Sequence, residues 1–339
     1  PLMITLGIII GTLTTISANH WLTAWLGLEL NMISIIPMIA KQKHPRATEA
    51  ATKYFLIQAT ASALMLFAGS LNAWQTGSWD ITQLNNKLSC ALITSALAMK
   101  MGAAPTHFWL PEVMQGSTMT MALLITTWQK LAPITLLYMI SNHTETAITL
   151  AIGLLSIMVG GWGGFNQTQI RKMMAYSSVA HTGWTMTVIS ITPNIAITNI
   201  IIYMTMSAPF FLLLTTTSSK TLQTMTMTWT HAPTATIIMM LLLLSMAGLP
   251  PLTGFTPKLL ILDNLVTHKL IMTAAIMALL SLLSLTFYLR TTYLLTSTAA
   301  PTTTQSTTLW RQKPHQSQFT TTLTPIALFN ITILPALLT

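Results

Sequence analysis

The chain has 339 residues, of which 52% are apolar and only 6% are charged, and its mean hydropathy is +0.63. Average soluble proteins carry about a quarter charged residues, so this composition excludes a water-soluble enzyme and predicts an all-α, polytopic membrane protein. The formal net charge of +9 is scattered over loops, which favours membrane orientation signals over nucleic-acid binding.

Long apolar runs separated by short polar loops predict about eleven transmembrane segments. In chain order we place them near residues 2–18, 21–40, 52–74, 88–109, 118–140, 146–165, 171–190, 194–215, 234–267, 270–290 and 321–338. The ninth segment is too long for one plain helix. Two linkers, 216–233 and 291–320, are rich in Thr and Ser and are predicted to be polar tethers rather than domains.

Successive loops lie on alternate sides of the membrane, and basic residues are distributed unevenly between these two faces. The face that holds the N-terminus receives ten of them and the other face receives two. The ten are Lys41, Lys43, Arg46, Lys53, Arg171, Lys172, Lys220, Arg290, Arg311 and Lys313, and the two are Lys87 and Lys269. By the positive-inside rule the N-terminal face is the cytoplasm or the mitochondrial matrix, and the C-terminus lies on the opposite side.

Four ionisable residues fall inside apolar segments: Glu29, Lys100, Lys130 and Lys258. Insertion at a helix centre costs roughly 3 kcal/mol per charge, so together they oppose folding by about 12 kcal/mol. Such charges usually face a hydrated interior and mark ion or proton pathways. The alternative is a lysine that reaches the headgroups from a helix end, which applies least to Lys130, ten or more residues from either end of its segment. Asp263 is close enough to a segment end to be set aside.

Two of the lysines lie beside a repeated pattern of glycine and proline. The pattern is Gly102, Pro105 and Pro111 at the end of the fourth segment and just after it, and Gly248, Pro251 and Pro257 in the ninth. Because proline removes a backbone donor, we predict broken helices near Lys100 and Lys258, whose freed backbone groups line protein or a water-filled cavity. Paired broken helices five segments apart are typical of inverted-repeat transporters, where they indicate the ion site. Chance proline kinks are the alternative, because the shared pattern is short.

Longer motifs resemble a known family over nearly the whole chain. The motifs are Gly27–Asn31, Met99–Gly102, His107–Glu112, Trp128–Pro133, Gly163–Thr168, Arg171–Lys172, Ala175–Ser178 and Gly248–Phe255. They resemble the subunit 2 family of mitochondrial NADH dehydrogenase (ubiquinone), vertebrate type, which is an antiporter-like membrane subunit of respiratory complex I. The sequence shows no departure from the family at the four intramembrane charges.

The resemblance implies one antiporter-like transmembrane domain over residues 1–339. Its two inverted five-helix repeats would cover about 2–140 and 146–290, followed by a linker and helix over 291–339. It implies a subunit of the proton-translocating NADH:ubiquinone reductase in the mitochondrial inner membrane, with the N-terminus on the matrix side. Expected partners are other membrane-arm subunits and lipids, with no nucleic acid. NAD, FMN, iron–sulfur clusters and ubiquinone would belong to the parent complex, with no cofactor or metal in this chain.

For the site, the resemblance implies that Glu29 and Lys100 form an interacting pair, that Lys130 sits at the centre of a hydrated axis, and that Lys258 leads toward a neighbouring subunit or the exit. Burial disfavours the charged form of a lysine, and a carboxylate about 4 Å away favours it by roughly 4 kcal/mol. We therefore expect Glu29 to hold Lys100 protonated until the pair is weakened, after which the proton passes through water toward Lys130.

Two histidines are weaker candidates for the same relay. His107 falls inside the first predicted break and His181 in the seventh segment, and an imidazole can donate and accept a proton near neutral pH. A neutral ring bonded to a backbone carbonyl is the alternative for both. The remaining motifs are expected to be structural: Gly160–Gly164 lacks nucleotide-binding spacing and favours close helix packing, and Trp and Tyr residues are expected to anchor the membrane interfaces.

Three functional classes are compatible with these residues. The motifs favour a redox-driven proton-translocating subunit, whereas a stand-alone cation/proton antiporter would use the same lysines and glutamate. A membrane scaffold without a transport role is the third class. The single Cys90 excludes an internal disulfide, a cysteine-based zinc site and an iron–sulfur site.

Overall fold

The computed structural model describes residues 2–41, 44–84, 86–299 and 318–329. These residues form helices joined by short loops, with a 3-10 turn at Ser141–His143. In chain order the helices are α1 (Leu2–Ile16), α2 (Trp21–Ile39), α3 (Pro45–Thr76), α4 (Lys87–Met101), α5 (Trp109–Gly116), α6 (Met119–Thr126), α7 (Trp128–Met139), α8 (Thr146–Phe165), α9 (Ile170–Val188), α10 (Pro193–Thr217), α11 (Leu222–Thr226), α12 (Thr228–His231), α13 (Pro233–Ala247), α14 (Phe255–Thr267), α15 (Ile271–Ser297) and α16 (Gln318–Phe329).

Within the described ranges, five helices are individually long and apolar enough to cross a membrane: α2, α3, α8, α10 and α15. The helices α1, α13 and α16 are apolar but shorter. An apolar run that is split by a break yields two helices that each fall below the length of a span, because a crossing needs about 20 residues. The fourth, fifth and ninth predicted segments are split in this way.

Both predicted broken helices are present, and a glycine ends the first half of each. Helix α4 ends at Gly102 with φ of 76°, and α13 ends at Gly248 with φ of 84°. Both values lie in the left-handed region, which a residue without a Cβ adopts without strain. The chain then crosses a non-helical stretch before α5 and α14 begin. The Gly–Pro pattern therefore marks real interruptions.

A third break was not predicted. The fifth segment was expected to be continuous over 118–140, but it divides at Thr127 into α6 and α7. The Thr126 and Thr127 hydroxyls donate to carbonyls three or four residues back, including Thr127 Oγ1 to Leu123 O at 2.7 Å. Side-chain bonds of this kind bend helices. Lys130 therefore lies in the first turn of α7, not in the interior of one long helix.

The linker predictions need revision. The stretch 216–233, expected to be a polar tether, contains α11 and α12, and its Trp229 Nε1 donates to Leu295 O at 2.7 Å. Helix α15 continues to Ser297, so the second linker does not begin at 291. The Thr291 and Thr292 hydroxyls donate to carbonyls of the preceding turn, so these polar groups are satisfied within the helix. Residues 300–317, including Arg311 and Lys313, lie outside the described residues.

The pair α8 and α9 forms the tightest helix packing. A Cβ added at Gly160 would come within 2.6 Å of Ala180 N, so only glycine allows the two backbones to approach this closely. The structural interpretation of Gly160–Gly164 is confirmed. Helix α9 is buried along nearly its whole length by α8 and α10 on its flanks and by shorter contacts with α5, α6 and α14. It therefore forms the centre of the bundle.

Candidate functional site: buried lysines at helix breaks

All three lysines singled out in the sequence lie within one turn of a helix break. Lys100 is in the last turn of α4, Lys130 in the first turn of α7 and Lys258 in the first turn of α14. Lys100 and Lys130 are 6% and 3% exposed, and Lys258 is half-buried. Helix ends carry backbone groups without intrahelical partners. At the Gly248 break such a group, the Ala247 carbonyl, accepts a hydrogen bond from the Lys258 ammonium.

Side chains satisfy the carbonyls at the first break. Trp109 Nε1 donates to Met99 O at 3.3 Å, and Gln58 Nε2 donates to Lys100 O at 3.3 Å. A Cβ at Gly102 would lie 2.7 Å from a Leu110 methyl group, so α5 packs directly on the glycine. Protein side chains therefore satisfy the carbonyls at the end of α4.

Glu29 lies apart from the lysines on a groove between α2 and α3. Its half-buried side chain lines a cavity of about 800 Å³ with mostly apolar walls, to which Ser62 also contributes. Among the described residues no ion pair within 4.0 Å joins Glu29 to Lys100. The carboxylate is near enough to act on Lys100 and on buried Tyr54 electrostatically. Glu29 and Lys100 are therefore farther apart than the about 4 Å assumed in the estimate of their interaction energy.

Lys130 is held from a neighbouring helix. Its Nζ donates to the Ser178 carbonyl of α9 at 3.0 Å and lies 5.1 Å from the centre of the Tyr203 ring of α10. A carbonyl and an aromatic face both favour a cation, although neither carries a full negative charge. Among the described residues no acidic side chain lies within 4.0 Å of this ammonium, so its contacts are with a backbone carbonyl and an aromatic ring.

Lys258 binds a backbone carbonyl at the C-terminal end of α13, the helix before the break. Its Nζ donates to Ala247 O at 2.7 Å and lies 5.9 Å from the Trp184 ring. The carbonyl end of a helix carries partial negative charge, so the last turn of α13 favours a cation there. The same ammonium borders a cavity of about 410 Å³. The expectation that freed carbonyls line a cavity is met at this break.

His181 lies between the second and third lysines. Its ring is buried, packs on the Tyr203 ring at 4.6 Å between centres, and lies beside the Met246 backbone. Both Lys130 and Lys258 are within electrostatic range of the imidazole. Met246 is the residue before Ala247, whose carbonyl accepts the hydrogen bond from Lys258. We call the row formed by Lys130, Tyr203, His181 and Lys258 the central axis.

His107 is buried in the first break, as its position in the sequence indicated. Its Nδ1 is 3.2 Å from Pro105 O, and its ring lies 4.2 Å from the Phe108 ring and 6.4 Å from that of Tyr176. These contacts are with two residues of the break and with Tyr176 of α9, and none of them is with a lysine. Its relay role stays a prediction, and the carbonyl-bonded alternative fits the Pro105 contact.

Sequence reasoning missed three tyrosines. Tyr54, Tyr203 and Tyr288 are buried in the core, so the expectation that tyrosines anchor the membrane interfaces is wrong for them. Tyr54 Oη is 3.4 Å from Oε1 of Gln129, the neighbour of Lys130. The Tyr203 hydroxyl lies near Ser177 and Ser178 without reaching hydrogen-bond geometry. A tyrosine in the middle of an apolar run, near the level of an intramembrane lysine, is the signal that could have identified them.

The arrangement suits proton transfer. Lysine, imidazole and phenol groups each exchange a proton with oxygen or nitrogen partners, and the buried hydroxyls of Tyr203 and Tyr288 have no protein partner in the described part of the chain. Buried polar atoms of this kind bind internal water. No cluster of three or more His, Cys, Asp or Glu side chains in the described ranges could hold a metal.

An all-helical bundle with broken helices and a row of buried lysines defines the class of antiporter-like membrane proteins. Residues 18–284 match the family described as NADH:quinone oxidoreductase/Mrp antiporter, transmembrane. This match covers well over half of the chain, so the chain belongs to that family.

Similar proteins span nearly the whole length. The NADH-ubiquinone oxidoreductase chain 2 of Varanus melinus is 52% identical over 327 residues, covering 96% of this chain and 94% of its own length. That of Latimeria chalumnae is 49% identical over 328 residues, covering 97% and 93%.

Two solved structures share the fold. A chain of respiratory complex I from Thermus thermophilus with bound aureothin superposes with a TM-score of 0.86 at 24% identity, over 98% of this chain and 78% of that one. A chain of the Mrp complex from Dietzia superposes with a TM-score of 0.78 at 18% identity, over 85% and 59%.

Proposed function

We propose that this chain is a membrane-arm subunit of respiratory complex I that takes part in proton translocation coupled to electron transfer from NADH to ubiquinone. The observation that carries the proposal is the central axis, in which Tyr203 and His181 lie between buried Lys130 and half-buried Lys258. The high identity to proteins named NADH-ubiquinone oxidoreductase chain 2 supports the assignment to that complex. NAD, FMN, iron–sulfur clusters and ubiquinone would be held by other subunits.

In the proposed mechanism, the charge of Glu29 favours the protonated form of Lys100, and weakening of that influence releases the proton toward Lys130. Tyr54 and Gln129 offer polar atoms between the two sites, because they meet each other beside Lys130. The proton then moves along the central axis to Lys258. His181 is within electrostatic range of both lysines, so it is the group that would pass the proton between them.

The topology proposed for the chain has eleven crossings and two inverted repeats, at about 2–140 and 146–290. The equivalent glycine-capped breaks at Gly102 and Gly248, five predicted segments apart, support the repeat. We infer a location in the mitochondrial inner membrane with the N-terminus on the matrix side, from the basic bias of that face. Neighbouring membrane-arm subunits and lipids would cover the exposed apolar surfaces.

A lysine-to-methionine substitution tests the function. Lys130→Met keeps the apolar stem but removes the transferable proton, so protons translocated per electron pair should fall, and transfer through this axis should slow by on the order of 10²-fold or more. The measurement is proton uptake and NADH oxidation by the complex reconstituted in vesicles. The matched control is Lys220→Met on an exposed loop, which should behave like the parent. Unchanged stoichiometry in Lys130→Met would refute the relay.

The second candidate is a stand-alone cation/proton antiporter, which the similarity of fold to the Mrp complex favours. The same lysines would then exchange a proton for a metal cation across the membrane. Co-migration of the chain with NADH-oxidising activity on a native gel supports the first proposal. Sodium-driven proton movement by the isolated chain in vesicles would support the second.

A further inference from the structure

The cavity beside Lys258 contains a second ionisable group, Asp263. Both residues are on α14 and line the same space of about 410 Å³, which is otherwise walled mainly by apolar side chains. Asp263 was set aside in the sequence because it lies near a predicted segment end. In the structure its side chain is exposed to this cavity and forms no ion pair within 4.0 Å among the described residues.

The cavity runs lengthwise between α14 and α15. On α14 its wall extends from Phe255 to Val266, a rise of about 16 Å at the usual 1.5 Å per residue. On α15 the wall is formed by Ala278, Ser281 and Leu285, which share one face of a helix. Since α15 runs back along α14 after a short loop, Ser281 lies near the level of Lys258. Asp263 lies five residues further along α14, about 7.5 Å nearer the loop, so the carboxylate follows the ammonium along the cavity.

The direction of the cavity follows from the chain. Lys258 is in the first turn of α14, beside the break, and α14 ends at Thr267, just before Lys269. Lys269 is one of only two basic residues assigned to the face opposite the N-terminus. Asp263 therefore lies between the broken helix and the less basic face. In the orientation proposed above, that face is the one to which protons are delivered.

We propose that Asp263 is the exit carboxylate that accepts the proton released by Lys258. This proposal rests on the proposed function and extends it to the last step. An N–H bond of the Lys258 ammonium breaks and an O–H bond forms on Asp263, directly or through an intervening hydroxyl or water, which leaves a neutral amine and a neutral acid. Asp263 then releases the same proton to the aqueous phase, and the two groups return to their charged forms when Lys258 is reprotonated from His181.

Substitutions in the reconstituted complex provide the first test. Asp263→Asn should lower the protons translocated per electron pair, because the amide cannot accept a proton, whereas Asp263→Glu should restore most of the loss. The matched control is Glu145→Gln, an acid assigned to the same face that lies 3.9 Å from Lys87. It should leave the stoichiometry unchanged. Normal stoichiometry in Asp263→Asn, with a clear loss in Lys130→Met, would overturn the exit role while the proposed function stands.

A chemical readout covers the case in which Asp263→Asn fails to assemble. A hydrophobic carbodiimide reacts with a protonated carboxyl in an apolar setting, so the native complex should be labelled at Asp263, as seen by mass spectrometry of the α14 peptide. Lys258→Met removes the proton donor and should reduce this labelling several-fold during turnover. Equal labelling in the two complexes would contradict the proposal. If Lys130→Met also pumps normally, the proposed function itself fails.

Discussion

Tyr203 joins the two halves of the central axis at the scale of a single residue. Its ring supports the Lys130 ammonium on one side and packs on His181 on the other. Its hydroxyl is buried near two serines and has no protein partner in the described ranges. The ring and the hydroxyl therefore have separable roles, since the ring provides packing and cation–π stabilisation while the hydroxyl is available for proton exchange.

Tyr203→Phe separates these roles. The substitution keeps the ring, so stability should change by no more than about 1 kcal/mol, the usual net worth of one hydrogen bond. Proton translocation per electron pair should fall, because the hydroxyl between Lys130 and His181 is lost. The control is Tyr138→Phe, in which an exposed hydroxyl loses only its contact with Asn194. Equal pumping by the two variants, measured in vesicles with thermal stability in parallel, would show that the hydroxyl is dispensable.

At the scale of elements, the helix breaks position the lysines. Gly248 ends α13 so that the Ala247 carbonyl points to Lys258, and a Cβ there would lie 3.0 Å from the lysine Nζ. The backbone conformation at Gly248 therefore determines where the Lys258 ammonium group lies. The Thr127 break acts similarly for Lys130, which enters the site from the beginning of α7 and reaches a carbonyl of α9.

Gly248→Ala tests this coupling against a matched glycine. Gly77 also has a left-handed φ, of 72°, but a Cβ at Gly77 would meet nothing within 4 Å. Both alanine substitutions carry the same conformational cost of roughly 1–2 kcal/mol. Only Gly248→Ala also displaces Lys258, so it should reduce proton translocation while Gly77→Ala retains it. The measurements are thermal denaturation and proton pumping in vesicles. Equal pumping by the two variants would show that the backbone conformation at Gly248 does not control the function of Lys258.

On the scale of the whole molecule, the distribution of basic residues predicts the direction of the bundle in the membrane. In the proposed topology exposed Ser218 lies on the basic face and exposed Asn142 on the other. The chain also suits labelling of introduced cysteines. Its single native cysteine, Cys90, is buried with Sγ 3.0 Å from His143 O.

Single introduced cysteines test the orientation. In a Cys90→Ser background, Ser218→Cys should react with a membrane-impermeant maleimide only from the matrix side, and Asn142→Cys only from the opposite side. The Cys90→Ser chain without an added cysteine is the blank. Labelling of both positions from one side would contradict the predicted topology and, with it, the direction assigned to the Asp263 exit.

The sequence by itself determined the membrane class, the four intramembrane charges and the two glycine–proline breaks. These features are local, since the insertion cost of a charge and the missing donor of a proline depend on the residue and its immediate neighbours. Only the tertiary structure decided what each lysine binds and which hydroxyls join them. Lys130 meets Ser178, 48 residues away, and Tyr203 on a third helix. Such contacts depend on how helices pack, and helical periodicity in a chain that is apolar on nearly every face does not specify that packing.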